Sequence, residues 1–106
     1  LAKRPFYTHP DPARPARSRS FDVLFRGTEL VTGGQRLHRH DELVAAMHRA
    51  GLALDPFAGY LEAFRCGMPP HGGFAIGLER LIARLVEAPN IRTTTLFPRD
   101  RARCEP

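Results

Sequence analysis

The stretch Pro69-Pro70-His71-Gly72-Gly73-Phe74-Ala75-Ile76-Gly77-Leu78-Glu79-Arg80 brings together residue types suited to holding a nucleotide. Gly72, Gly73 and Gly77 carry no Cβ, so a flat ring or a phosphate can approach the backbone closely. Arg80 supplies a planar cation that stacks on a base or pairs with phosphate. The plain alternative is a Gly-rich turn ahead of a buried strand, and glycine spacing alone does not separate the two. His71, beside the glycine pair, reads either as a ligand contact or as a turn histidine with a structural hydrogen bond. Glu79 reads as orienting Arg80 or capping a helix.

A second group lies upstream. Glu29 and Thr32 offer a carboxylate and a hydroxyl, the hard oxygen donors that hold Mg²⁺ against phosphates. On spacing alone a solvated Glu and a strand Thr are the preferred reading. His9, His38, His40, His48 and His71 show no zinc-type spacing, and Cys66 and Cys104 are too far apart for a metal cluster. The two cysteines read as reduced structural thiols.

These residues need elements to position them. Leu78, Leu81, Ile82, Leu85 and Val86 fall at i, i+3, i+4, i+7 and i+8, so a helix is expected over 78–87, stopped by Pro89-Asn90. Strand 72–76, a glycine and then this helix is the local order. Leu43, Val44 and Met47 give one face of a helix over 41–50, which Gly51 ends. Asp55 as N-cap with Pro56 at N1 opens a helix over 55–65 whose apolar face is Phe57, Tyr60, Leu61 and Phe64.

Residues 21–26 and 29–36, joined at Gly27, read as a hairpin, and residues 3–8 as a further strand. Residues 9–20 carry Pro10, Pro12 and Pro15 with Arg14, Arg17 and Arg19; they read as an exposed loop. A basic RNA-contacting arm is the alternative, disfavoured because no aromatic is interleaved to stack bases. The fold class expected is α+β, an antiparallel sheet of strands 3–8, 21–26, 29–36 and 72–76 with flanking helices on one face.

Composition bounds the rest. The chain has 106 residues, 42% of them apolar, which makes one small unit. Sixteen Lys and Arg against eleven Asp and Glu give a net charge of +5, which permits contact with nucleic acid or a phosphorylated ligand but by itself supplies only non-specific attraction. No apolar run approaches the roughly 20 residues of a membrane span, so no membrane partner and a cytoplasmic location are expected.

Pro70-His71-Gly72-Gly73-Phe74 through Gly77-Leu78-Glu79-Arg80-Leu81 resembles motif 3 of the class II aminoacyl-tRNA synthetases. Arg4-Pro5-Phe6-Tyr7-Thr8, the run from Glu29 to His38, and Asn90-Ile91-Arg92 followed by Leu96-Phe97-Pro98-Arg99-Asp100 extend the likeness over essentially the whole chain. It is most similar to the aspartyl-tRNA synthetases of archaeal and eukaryotic type. Gln35 and His38 fit the aspartyl pattern better than the asparaginyl one.

The resemblance implies aspartate, ATP and Mg²⁺ as ligands. Arg36 is implied to pair with the aspartate side-chain carboxylate, against its ordinary role in a salt bridge. Gln35, His71 and Gly73 complete the amino-acid site; Glu29, Gly77 and Arg80 the ATP site; Glu29 and Thr32 the metal site, with Thr32 where relatives have Ser. Arg80 is the implied catalytic residue. Ala75 departs from the glycine of the archaeal enzymes.

The reaction implied is aspartyl-adenylate formation followed by transfer to tRNA, the latter only in a full-length protein, whose parent enzyme is expected to be a homodimer. Residues 1–106 are expected to be the C-terminal portion of the catalytic domain, with motif 3 at about 70–88 and with motifs 1 and 2 and the anticodon-binding domain outside the chain. Alone it is expected not to aminoacylate. Two other readings are a truncated synthetase-like paralogue acting as a nucleotide- or amino-acid-binding or interaction module, and a fragment of an asparagine synthetase-type relative. The three readings differ in what is expected upstream of Leu1: motifs 1 and 2 with a β-barrel for the first, a start codon a few residues back for the second, motif 2 without the barrel for the third.

Overall fold

The structure, a computed structural model, describes residues 4–102. Its fold is α+β, with antiparallel strands and flanking helices. The strands are β1 (Pro10–Asp11), β2 (Arg14–Ser18), β3 (Ser20–Phe25), β4 (Thr28–Gln35) and β5 (Gly72–Ile76); the helices are α1 (His40–Arg49), α2 (Ala58–Arg65) and α3 (Leu78–Leu85). β1 and β2 form a two-stranded sheet, and a three-stranded sheet has the order β3-β4-β5. β4 and β5 run antiparallel: Arg36 N donates to His71 O at 3.0 Å and Gly77 N to Leu30 O at 2.9 Å, so the numbering falls along one strand as it rises along the other.

The chain divides into two compact units. The first holds the residues up to Phe21 together with Gly33–Phe74; the second holds Asp22–Thr32 and the residues from Ala75 on. The core of the first is Leu37, Leu43, Ala46, Met47, Leu61 and Phe64, with Phe6, Tyr7, Leu52, Leu54 and Phe57 among the half-buried residues packed against it. In the second, Leu30 and Ala83 are the buried apolar residues.

Helix α1 buries Leu43 and Met47 completely, as its apolar spacing predicts. It ends on Gly51 at φ 70°, with Gly51 N donating to His48 O and Leu52 N to Met47 O, both at 3.0 Å. That pair of bonds is the Schellman arrangement, which satisfies two carbonyls the helix would otherwise leave open. Asp55 opens a 3₁₀ turn, Asp55–Phe57, instead of capping the helix: no side chain caps either this turn or α2. α2 buries Leu61 and Phe64, while Tyr60 is 40% exposed.

Two expectations about the first residues are overturned. The described part of 3–8 is a turn, Thr8 N donating to Pro5 O at 3.0 Å, followed by a single antiparallel bridge from Thr8 to Arg36; Lys3 lies outside the described residues. The expected loop 9–20 is the β1–β2 hairpin plus the start of β3. Proline fixes φ near −65°, which an edge strand tolerates, so Pro10 and Pro15 lie in strands here. Asp11 closes the hairpin by accepting from Ala13 N at 3.1 Å and from Arg14 Nε at 2.9 Å.

Helix α3 stops earlier than the expected 87, with Val86 as its C-cap and Glu87 in the left-handed region at φ 55°. Its apolar stripe is only partly covered: Leu81 and Ile82 are half-buried, Leu78, Leu85 and Val86 are exposed, and Ala83 is the buried residue. Cys66 is free and exposed; Cys104 lies outside the described residues. Among the described residues no helix is long and apolar enough to cross a membrane.

Candidate functional site

Gln35, Arg36, His71 and Gly73 lie in the first unit. Arg36 is pinned through its backbone from both sides: its N–H donates to His71 O, while His9 N donates to Gln35 O at 2.9 Å and Leu37 N to Tyr7 O at 2.7 Å. Fixing the backbone on both edges restricts where the guanidinium can reach. A Cβ built on Gly73 would stand 3.2 Å from Arg36 Nη2, so the missing side chain is what lets the guanidinium lie against this backbone.

The ordinary role of a surface arginine does not describe Arg36. Among the described residues it forms no ion pair, whereas Arg14, Arg26, Arg39, Arg65 and Arg92 each pair with a carboxylate. Its guanidinium carbon lies 5.3 Å from the centre of the Tyr7 ring. An aromatic face attracts the cation without neutralising it or occupying its five donors. Arg36 therefore keeps its hydrogen-bonding fork open to an outside carboxylate.

The neighbours of Arg36 are partly engaged. Gln35 Oε1 accepts from Arg19 Nη1 at 2.8 Å, leaving the amide NH₂ of Gln35 as a donor. His71 Nδ1 lies 3.0 Å from Pro69 O. A carbonyl only accepts, so Nδ1 carries the proton, which leaves Nε2 as the acceptor of the neutral ring. The structural hydrogen bond of a turn histidine is thus present, together with a free ring nitrogen. His38 Nδ1 is buried without a partner among the described residues. Burial pushes the Tyr60 hydroxyl above its ordinary pKa, while the Arg36 charge pulls it the other way.

Glu29, Thr32, Gly77 and Arg80 lie in the second unit. Arg80 Nη1 donates to the backbone oxygen of Glu29 at 3.2 Å. Its stem folds back over Gly77, where an added Cβ would stand 3.3 Å from Arg80 Cδ. One guanidinium nitrogen is thus used to aim the side chain, and the exposed remainder can pair with phosphate or stack on a base. Glu79 caps nothing, since α3 has no side-chain cap; its backbone oxygen accepts from Thr94 Oγ1 at 3.1 Å.

Thr32 Oγ1 donates to Asp22 Oδ1 at 2.7 Å. The Glu29 carboxylate is exposed and forms no ion pair among the described residues. Three positions apart on a regular strand would put Glu29 and Thr32 on opposite faces. The turn that joins β3 to β4 holds Arg26 at φ 46° and Gly27 at φ 73°.

Among the described residues no group of three or more His, Cys, Asp or Glu is placed to hold a metal ion. Mg²⁺ does not need one, because it keeps waters and takes one or two carboxylates together with substrate phosphates. Glu29, Thr32 and Asp22 supply hard oxygen donors of that kind.

Sequence reading missed Tyr7, Arg19 and Asp22. Asp22 and Thr32 sit across the hairpin from one another, a relation the turn at Arg26-Gly27 could have indicated. Nothing local marks Tyr7 as the partner of Arg36.

Known proteins are similar to this chain over nearly its whole length. Aspartate–tRNA(Asp/Asn) ligase of Thermus thermophilus is 53% identical over 103 residues, which cover 97% of this chain and 24% of that protein. Aspartyl-tRNA synthetase from Entamoeba histolytica superimposes with a TM-score of 0.91 at 44% identity, covering 100% of this chain and 22% of that one. The asparaginyl-tRNA synthetase of the same organism, in complex with asparaginyl-adenylate, gives 0.89 at 38% identity over 99% of this chain and 24% of that one. The chain thus spans about a quarter of the length of these relatives. Residues 1–101 also match the model of a single family, and with the open arginine fork and the glycine-backed Arg80 on the same stretch, the chain belongs to the class II tRNA synthetases (D, K and N).

Proposed function

We propose that this chain is the part of an aspartate–tRNA ligase that reads the side chain of aspartate and holds ATP for adenylate formation. The observation that carries the reading is Arg36, a cation with no acidic partner among the described residues, held against Tyr7 and the Gly73 backbone. A bidentate guanidinium–carboxylate contact favours aspartate over neutral asparagine, because asparagine leaves the cation unpaired. The stronger likeness to aspartate ligases than to the asparaginyl structure supports the same choice.

In this reading the aspartate α-carboxylate attacks the α-phosphate of ATP and pyrophosphate leaves; a terminal ribose hydroxyl of tRNA then attacks the acyl carbon of the adenylate, losing its proton as the acyl–phosphate bond breaks and AMP leaves. Arg36 fixes the substrate side chain, with the Gln35 amide and His71 Nε2 as further polar groups of the amino-acid site. Arg80 stacks on the base and offsets phosphate charge, and Gly77 gives its stem room. Glu29 and Thr32, with Asp22, would hold Mg²⁺, which offsets phosphate charge when bound. Catalysis of this kind is positioning and charge neutralisation, and needs no protein nucleophile. We assign residues 1–106 to the motif 3 end of the catalytic domain. The tRNA partner, the homodimer and the cytoplasmic setting belong to the intact protein in this reading.

Aspartate-dependent pyrophosphate exchange by the intact protein that carries this chain tests the reading. Arg36→Ala should lose on the order of 100-fold in kcat/KM for aspartate, the loss of a charge-assisted two-bond contact, with little change in ATP affinity. Aspartate activation that survives while ATP binding collapses would place Arg36 in the nucleotide subsite instead.

A further inference from the structure

Arg36 shares with Arg19 and Arg80 the lack of a carboxylate partner among the described residues, but where Arg19 meets an amide oxygen and Arg80 a backbone carbonyl, Arg36 meets an aromatic ring. Tyr7 lies 5.3 Å from its guanidinium carbon. Behind Tyr7, Phe6 meets it edge to face with ring centres 5.4 Å apart, and Phe6 meets Phe57 in the same way at 5.9 Å. All three rings are half-buried and pack against the core of the first unit. The backbone of the same segment holds the backbone around Arg36, through Leu37 N to Tyr7 O and the Thr8–Arg36 bridge. The ring and the main chain of Tyr7 thus both act on one arginine.

We propose that the ring series Phe57–Phe6–Tyr7 is a buttress that positions the Arg36 guanidinium for its anionic ligand, doing by a cation–π contact what an acidic neighbour would do by pairing. A carboxylate at this place would compete with the ligand for the same donors, whereas a ring face orients the cation and leaves the donors open. Edge-to-face contacts carry the placement of Tyr7 back to Phe57 at the start of α2. Tyr7, Phe6 and Phe57 are positioning residues: none of them needs to touch the ligand. The inference rests on Arg36 being the aspartate-binding residue.

The test measures KM and kcat for aspartate, KM for ATP and the thermal midpoint, in the intact protein, for Tyr7→Phe, Tyr7→Leu, Phe57→Leu and Arg36→Ala. Tyr7→Phe keeps the ring face and should rescue, staying within about twofold of wild type. Tyr7→Leu should raise the aspartate KM about fivefold, the range of an exposed cation–π contact, with ATP KM unmoved. Phe57→Leu should move the aspartate KM the same way by a smaller factor. If Tyr7→Leu does not fold, Tyr7→Met carries the same expectation, since Met fills the space without a ring.

Equal losses in Tyr7→Phe and Tyr7→Leu would mean that the hydroxyl and not the ring matters, and would overturn the buttress. So would an unchanged aspartate KM in Tyr7→Leu when Arg36→Ala abolishes aspartate use, a result that leaves the aspartate reading standing. An Arg36→Ala protein with normal aspartate kinetics removes the aspartate reading and the buttress with it.

Discussion

At the residue scale the site depends on side chains that are missing as much as on those present. Gly73→Ala adds one methyl group 3.2 Å from Arg36 Nη2, so the guanidinium must move by a few tenths of an ångström. Displacing a positioned group in this way should raise the aspartate KM on the order of fivefold in the intact protein, without touching ATP binding. Arg80→Ala should weaken ATP binding about tenfold or more by calorimetry, and Arg80→Lys should recover little of it, because a point charge replaces a fork that both stacks and pairs. An Arg80→Ala protein with unchanged ATP affinity would return Arg80 to a purely structural role, tying α3 to the Glu29 carbonyl.

At the element scale the helix end at Gly51 and the hairpin at Asp11 are separately testable. Nothing lies within 4 Å of a Cβ built on Gly51, so Gly51→Ala meets no clash; its cost is the left-handed backbone alone, about 1 kcal/mol, read as a lowered thermal midpoint. The Arg14 side chain and the Ala13 N–H hold the Asp11 carboxyl below its ordinary pKa. A depressed carboxylate pKa favours the folded form above the unfolded-state value, and that contribution fades as pH falls through the folded value. The β1–β2 hairpin should therefore loosen, by amide exchange, as pH drops below the ordinary carboxylate range, and Asp11→Asn should remove this pH dependence.

The elements were legible where the signal is local. Leu43 and Met47 were readable as core from helical spacing, and Gly51 as a helix end. The strand–glycine–helix order from Gly72 to Leu85 was readable too. The prolines of residues 9–20 misled because the same fixed φ serves a loop and an edge strand, and only pairing separates them.

At the scale of the whole molecule the surface carries large apolar side chains. Leu96 is 90% exposed, Leu24 71%, Phe74 68% and Val86 66%, which is more than scattered surface leucines explain in a chain of this size. Expressed alone, the 106 residues should associate in a concentration-dependent way and bind an apolar dye strongly. Leu85→Lys with Val86→Gln should lower dye binding without lowering the thermal midpoint, because neither side chain is buried here. A chain that stays monomeric and dye-free at high concentration would show that these faces are not adhesive.

The sequence by itself determined the class of fold and the positions of the three helices, and it singled out an arginine, glycines and oxygen donors as candidates for the site. Each of these follows from near neighbours: helical period, a turn glycine, or a motif held within a dozen residues. Only the tertiary structure decided that Pro5–Thr8 forms a turn instead of a strand, that Leu78, Leu85 and Val86 of the α3 stripe lie exposed, and that Arg36 is held by Tyr7 and not by a carboxylate. These depend on contacts between segments far apart in the chain. Local spacing carries no information about which distant side chain will arrive beside a given one.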